Sequence, residues 1–519
     1  MRKELSQIIF LSLILTLSAC VKDSITTGIP PAPPEAIDFD AQLSRSQSTR
    51  AGYVGEMTTN KLKDTDATTG GFGVMACYTG TAIWNTWKSG TGTLMNFMYN
   101  QQVSWDDANS RWIYSPIKYW PNGTDAANAN DSPSNTATEA APQYLSFFAY
   151  APYVEVMPST GELASGGDNT KGIVGMTANT AKAEASYLTY QADTSTAITV
   201  EHPFPTYDPL YNVDLLWGVR GANQYQEADG TNNPSTPLAA LGAAHNIDLT
   251  KQTVDERVSF LFKHALAKFS ITVQGLFDHT DNDDASVLYP DDVDKDTKIL
   301  IDSVSISPFF TEGKMYFAPA TENASAPRWE PTASTKDTIT IDGININATL
   351  GDTYKVAGED KTYHGDFLVD TDGDTEAAKT NFDALPTGVT HTEVPLLNDG
   401  TFQFMVIPTN DYINASHPTT VRMVYYVITY DTNLTLNTPK FYSIVENDIT
   451  ATFDNFAFEG GKSYQLRLQP GLTTVKFEVS VDDWETPITL TPMVVEWNSK
   501  TVGEYNLDDS NTEDSTTTP

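Results

Sequence analysis

Two cysteines in 519 residues cannot supply a disulfide framework, so the stability of this chain must come from a large apolar core. Basic residues are also scarce, 31 Lys and Arg against 67 Asp and Glu, for a net charge of −36. The first 50 residues carry both signs equally, so the acidity belongs to the body of the chain. Such a charge makes nucleic acid and anionic surfaces poor partners and favours solubility. The seven histidines are scattered without metal-ligand spacing. HExxH, GxSxG, a phosphate loop and a paired-cysteine zinc site are all missing, so nothing in the sequence marks an enzyme. His264, within "FKHALAKF", reads as structural rather than catalytic. Long runs of helix formers are absent too. The apolar run Ile8–Leu17 falls well short of the ~20 residues of a spanning helix.

What is abundant is Thr, Asn, Gly and Pro, with 24 Tyr and 9 Trp. That is the profile of an extracellular all-β protein. Arg2 and Lys3, the short apolar run and then small residues form a secretory signal. Its end, "LSAC", resembles a bacterial lipobox, in which the Cys20 thiol takes a diacylglycerol and becomes the new N-terminus. Buried acyl methylenes contribute about 0.8 kcal/mol each, so several chains anchor firmly in the outer membrane. Cys77, inside "FGVMACYTG", reads as a small buried hydrophobe.

Residues 21–36, rich in proline, read as an extended tether. In "IDFDAQL", Ile37, Phe39, Ala41 and Leu43 alternate with Asp38, Asp40 and Gln42. That period of two predicts a half-buried strand. The polar "SRSQSTRAG" follows, with Arg45 and Arg50 where proteases can reach. Short β-branched or aromatic runs bounded by Pro and Gly then recur to "VKFEVSVDDW". In one, Tyr464, Leu466 and Leu468 share a face opposite Gln465 and Arg467. About 450 body residues predict two domains. Of two polar gaps, 221–237 and 278–296, the second divides the body more evenly. The expected organisation is therefore signal 1–20, tether and N-terminal strand 21–50, domains 51–277 and 278–498, and a polar tail 499–519.

In "DTDGD", Asp370, Asp372 and Asp374 alternate as calcium ligands might be spaced. Gly373 is at the wrong position for a calcium loop, and Asn381 replaces the bidentate glutamate, so a solvated acidic turn is the better reading and no cofactor is expected.

Several runs resemble the Bacteroidetes fimbrillin family, the subunits of type V pili. They are "TRAG" at 49–52, "FMYNQQVSW" and "RWIYSPIKYWPNG" within 97–123, and "FLFKHALAKFSITV" at 260–273. "QFMVIP" at 403–408 and "GKSYQLRLQPGLTTVKFEVSVDDWE" at 461–485 belong with them. The resemblance implies two transthyretin-like β-sandwich domains in tandem, export as a lipoprotein, cleavage after an arginine and assembly by strand exchange. Arg50 before Ala51 matches the cleavage position, with Arg45 as second choice, and the resemblance thereby implies that the strand of Ile37, Phe39, Ala41 and Leu43 is removable. The implied partners are other pilus subunits, outer-membrane lipid through Cys20, an Arg-specific or trypsin-like protease, and a host protein or glycan.

The expected donor segment is "PITLTPMVVEW". There Ile488 and Leu490 share one face, and Met493, Val495 and Trp497 share one beyond Pro492. Val502, Tyr505 and Leu507 form a sparser alternative. A rival reading is a non-polymerising surface lipoprotein that binds glycans through Trp and Tyr of the 105–120 region. A third, a carboxylate hydrolase, needs two facing acids in a cleft.

Overall fold

The computed structural model describes residues 36–43, 57–64, 70–121, 143–164, 172–192, 213–221, 245–250, 257–275, 278–280, 292–321, 323–342, 373–385, 388–390, 392–395, 404–437, 439–470, 475–483 and 492–493. Strands dominate. The first ten are β1 (Asp38–Leu43), β2 (Phe72–Gly80), β3 (Met98–Asp106), β4 (Arg111–Ile113), β5 (Tyr144–Ala151), β6 (Ile173–Met176), β7 (Tyr187–Gln191), β8 (Leu216–Arg220), β9 (Arg257–His264) and β10 (Ala267–Val273). Next come β11 (Asp278–Thr280), β12 (Asp292–Asp294), β13 (Thr297–Phe310), β14 (Glu312–Tyr316), β15 (Trp329–Pro331) and β16 (Lys336–Asp342). The last are β17 (Val394–Pro395), β18 (Phe404–Val406), β19 (Thr419–Tyr430), β20 (Tyr442–Phe453), β21 (Lys462–Pro470), β22 (Val475–Asp483) and β23 (Pro492–Met493). Among the described residues the α-helices are α1 (Thr59–Leu62), α2 (Trp84–Trp87) and α3 (Thr375–Ala384).

The chain is all-β and builds two tandem β-sandwiches. The first rests on a seven-stranded sheet in the order β1-β9-β8-β5-β2-β3-β4. Its central strands are apolar on both faces, and the reason is visible residue by residue. Along β2, Val74 and Ala76 point into one core, while Met75 and Cys77 point into another. Along β5, Phe147 and Ala149 take the first side, and Phe148 and Tyr150 the second. One core lies between this sheet and a four-stranded sheet, β15-β14-β7-β6. The other lies in the concave face, where the sheet curls until β1 approaches β4.

The second sandwich packs β17-β10-β21-β22-β23, with β18 also on β10, against β16-β13-β19-β20. Its core includes Tyr464, Leu466 and Leu468, one alternating face of β21. Helix α3 lies on the outer face and buries Phe382 against Tyr426 and Tyr442. Lys298 reaches the end of that helix and donates to the carbonyls of Phe382 at 2.9 Å and Leu385 at 2.8 Å.

The sheets do not part at the 277/278 division expected from the polar gap. The chain leaves the first large sheet after His264 and enters the second at Ala267, since β10 pairs in parallel with β21. Moreover, β14 returns to the first half and pairs with β7. Phe310 of β13 and Met405 of β18 also enter the core between the first large sheet and β15-β14-β7-β6, so the two sandwiches pack together there. Trp217 donates to the carbonyl of Phe317 at 3.1 Å, and Trp329 to that of Ala265 at 2.9 Å, both buried.

Candidate functional site

The segment 36–43 forms the strand that its alternation predicts. It is an edge strand, hydrogen-bonded in parallel to β9 from Asp38 opposite Arg257 to Leu43 opposite Phe262. Ile37, Phe39 and Ala41 are buried in the concave core, with Leu43 packed against it. Asp38 and Gln42 face solvent. Phe39 is the centre of the seat. Its ring stacks on Phe260 at 6.1 Å and meets Tyr114, Phe147 and Phe72 edge-on at 5.2, 6.0 and 6.5 Å. These separations and angles are those aromatic rings prefer.

A second set of contacts holds the start of β1. The Ile37 amide donates to the Lys118 carbonyl at 2.9 Å, and Ala36 bridges antiparallel to Tyr119. The Tyr114 hydroxyl donates to the Ile37 carbonyl at 2.7 Å. Burial pushes the Tyr114 phenol up from its ordinary pKa, so it stays protonated and able to donate. β1 is thus gripped on one side by a strand and on the other by the loop following β4. Its outward edge is guarded as well, because the Asp40 carboxylate accepts from the Ala41 amide at 2.9 Å. An acid that occupies an edge N–H discourages casual pairing with another chain.

After the intervening residues 44–56 the chain reappears in the same sandwich. Met57 and Leu62 are buried in the concave core. The Met57 amide donates to Asp214 at 2.8 Å, and the same carboxylate oxygen lies 2.7 Å from Nδ1 of His264. His264 is therefore part of a fully buried structural pair. Cys77 is also buried, its Sγ 3.2 Å from the Met95 sulfur, and burial pushes its thiol far above the ordinary range.

The other sequence candidates distribute as follows. Cys20, Arg45, Arg50 and Ala51 lie outside the described residues, as do Ile488, Leu490, Val495, Trp497, Val502, Tyr505 and Leu507. Met493 is described and pairs through its backbone with Val479, on the side of β22 away from β21. Asp370 and Asp372 lie outside the described residues. Asp374 caps α3, accepting from the amides of Glu376 at 3.0 Å and Ala377 at 3.1 Å. Among the described residues no group of three His, Cys, Asp or Glu is placed to hold a metal. The aromatics of the 105–120 region serve mostly as core: Trp112, Tyr114 and Trp120 are buried, whereas Tyr119 is half exposed. The residues that build the seat, Tyr114 and Lys118 above all, escaped sequence reasoning. "RWIYSPIKYWP" signals a strand and a turn, but nothing local says what the turn holds.

No family model matches the chain. A curated relative, the fimbrium subunit Fim1C of Phocaeicola vulgatus, is 27% identical over 172 residues. The chain is similar to Bacteroidetes fimbrial subunits. That match takes in 33% of this chain and 37% of the relative, so it spans little more than a third of the relative's length. Among solved structures, a fimbrial protein from Bacteroides vulgatus is 18% identical, covers 86% of this chain and 99% of its own, and has a TM-score of 0.46. The tip fimbrial protein Mfa3 from Porphyromonas gingivalis is 8% identical, covers 82% and 96%, and has a TM-score of 0.20.

Proposed function

We propose that the chain is a structural subunit, stalk or tip, of a cell-surface fimbria that supports adhesion, and that β1 is a plug removed before assembly. It is exported as a lipoprotein carried on Cys20 and held at the outer membrane. An Arg-specific or trypsin-like protease then hydrolyses the Arg50–Ala51 bond, which frees β1 from everything downstream. Loss of β1 uncovers the apolar seat of Ile37, Phe39 and Ala41 and the unpaired edge of β9. An extended segment of a neighbouring subunit satisfies both at once. The observation that carries this reading is the place of β1: an edge strand, filled with core side chains, separated from Met57, the next buried residue among those described, by the arginine-bearing sequence 44–56.

The test is to treat the purified precursor with an Arg-specific protease. A stable product beginning at Ala51 that forms linear multimers supports the proposal. If Arg50→Ala assembles as well as the parent chain, cleavage is not the switch.

A further inference from the structure

Resting on the lipoprotein reading above, we infer that the end of the first sandwich where β1 begins is a membrane-docking face. Its occupant is the bilayer surface that holds Cys20, and the side chains that enter the lipid are Ile83, Ile117 and Tyr119.

Strand directions bring this face together. β9 runs towards the second sandwich, because β10 follows it after only Ala265 and Leu266. β8 is antiparallel to β9, β5 to β8, β2 to β5, β3 to β2 and β4 to β3. The ends of β2 and β4 and the starts of β3, β5 and β9 therefore gather at the far end of the sheet. β1 is parallel to β9, so it starts there too. At or just beyond these strand ends Tyr78, Ile83, Ile113, Ile117 and Tyr119 each stand more than a third exposed. Contacts between their neighbours join them into one rim. The Lys118 ammonium lies over the Phe97 ring, and the Asn96 side chain grips both main-chain groups of Tyr78. The Thr79 hydroxyl donates to the carbonyl of Ala82, next to Ile83, at 2.6 Å. Single exposed apolar residues are ordinary, but a set gathered at one end marks a surface that is covered in use.

The path of the chain says what covers it. The stretch leading back to Cys20 leaves from this rim, where Ala36 bridges antiparallel to Tyr119 and the Lys118 carbonyl holds the Ile37 amide. Residues 21–35 span at most about 50 Å. A lipid on Cys20 therefore keeps the rim over the bilayer at roughly millimolar effective concentration, where even a weak contact forms. Acyl chains and a protein patch together are the two signals that make an anchor stable. The residue types suit the place, since a tyrosine ring sits in the interface with its hydroxyl among the headgroups. Charge does not oppose the contact. Lys118 and Arg257 stand at this end beside Asp38, and the Asp248 carboxylate near Ile83 accepts from the Trp84 amide at 2.7 Å.

Docking this way leaves the processing site in reach. β1 runs away from the rim, and Leu43, where the arginine-bearing sequence begins, lies at the opposite end beside Phe262. The precursor is thus held by its plug end, with the start of the cuttable sequence turned from the lipid.

The experiment labels the full lipoprotein with an environment-sensitive fluorophore at Ile83→Cys or, as a control, at Leu436→Cys, a position 96% exposed in the β19–β20 turn. Both are placed on phosphatidylcholine vesicles carrying acyl-chain quenchers. The Ile83 label should brighten and be quenched from the lipid, and the Leu436 label should not. The mature chain from Val21, which lacks only the leader and the lipid, reports direct binding with the same Ile83 label. In it Ile117→Ser and Tyr119→Ser should each weaken vesicle binding about tenfold, the scale of one apolar side chain withdrawn from lipid. If neither label senses lipid while mass spectrometry shows an acylated Cys20, docking is overturned and the lipoprotein reading stands. If Cys20 carries no lipid, that reading falls, and the chain from Val21 decides docking: brightening at high vesicle concentration upholds it, and no change overturns it. If the Ile83 label brightens as protein concentration rises without vesicles, the rim is a contact between copies and the inference is overturned.

Discussion

The Tyr114 hydroxyl donates to the carbonyl of Ile37 at 2.7 Å across a gap of 77 residues in sequence. This contact ties the start of an edge strand to a loop on the far side of the curled sheet. Together with Phe39 it sets how firmly β1 is held, and it yields the first two predictions.

Phe39→Ala removes the ring at the centre of the seat. Cavity formation at such a site costs about 3–5 kcal/mol. Urea unfolding of the uncut chain should show a loss of that order, and after cleavage the β1 fragment should dissociate faster than from the parent. A loss under ~1 kcal/mol would mean that the concave core closes without β1.

Tyr114→Phe keeps the ring against Phe39 and deletes one hydrogen bond. The expected cost is about 1 kcal/mol, with faster amide exchange at Ile37. Unchanged exchange there would show that the Lys118 carbonyl alone fixes the strand start.

Trp329→Phe tests whether the sandwiches act as one body. It removes the donor that satisfies the buried Ala265 carbonyl, at a cost of about 1–3 kcal/mol. Because Phe310 and Met405 of the second sandwich pack into that same core, calorimetry should show a single transition moving to lower temperature. Two separated transitions in the parent chain would contradict a shared core.

His245 predicts a pH dependence. Burial lowers its pKa from 6.5 to about 4, the Ala324 carbonyl opposes that shift, and the charge of Lys263 adds to it. The unfolded chain thus binds more protons between those two values, and stability falls as the pH drops from 6.5 towards 4. The full swing is about 3 kcal/mol. His245→Gln should flatten the stability profile in that window, as read by unfolding at pH 7, 5.5 and 4.5. An unchanged slope would place the titration elsewhere.

The alternation of Ile37, Phe39 and Ala41 is legible because a strand's period of two appears in the residues themselves. The same holds for Tyr464, Leu466 and Leu468 on β21. The apolar runs of β2 and β5 reveal strands but not their two separate cores, since burial on both faces erases the alternation. The change of sheet does not coincide with the polar gap for a related reason. The chain changes sheet at Ala265 and Leu266, both buried, with no glycine, proline or polar cluster to mark the place. Their carbonyls accept from Trp329 Nε1 and the Gly461 amide, so this crossover needs neither water nor turn residues. A polar gap marks solvent exposure, and that is not the same as a boundary between sheets.

Composition and short-range pattern are enough to establish that the chain is all-β, acidic and built without a disulfide framework, and that residues 37–43 form a strand with one apolar face. Those properties depend on composition and on neighbours a few positions apart. The folded chain alone reveals that this strand lies parallel to β9, that Phe39 enters a box drawn from Phe72, Tyr114, Phe147 and Phe260, and that Phe310 and Met405 of the second sandwich pack into the core of the first. Such pairings join residues tens to hundreds of positions apart, and no local pattern encodes which distant strand edge will be free to receive them.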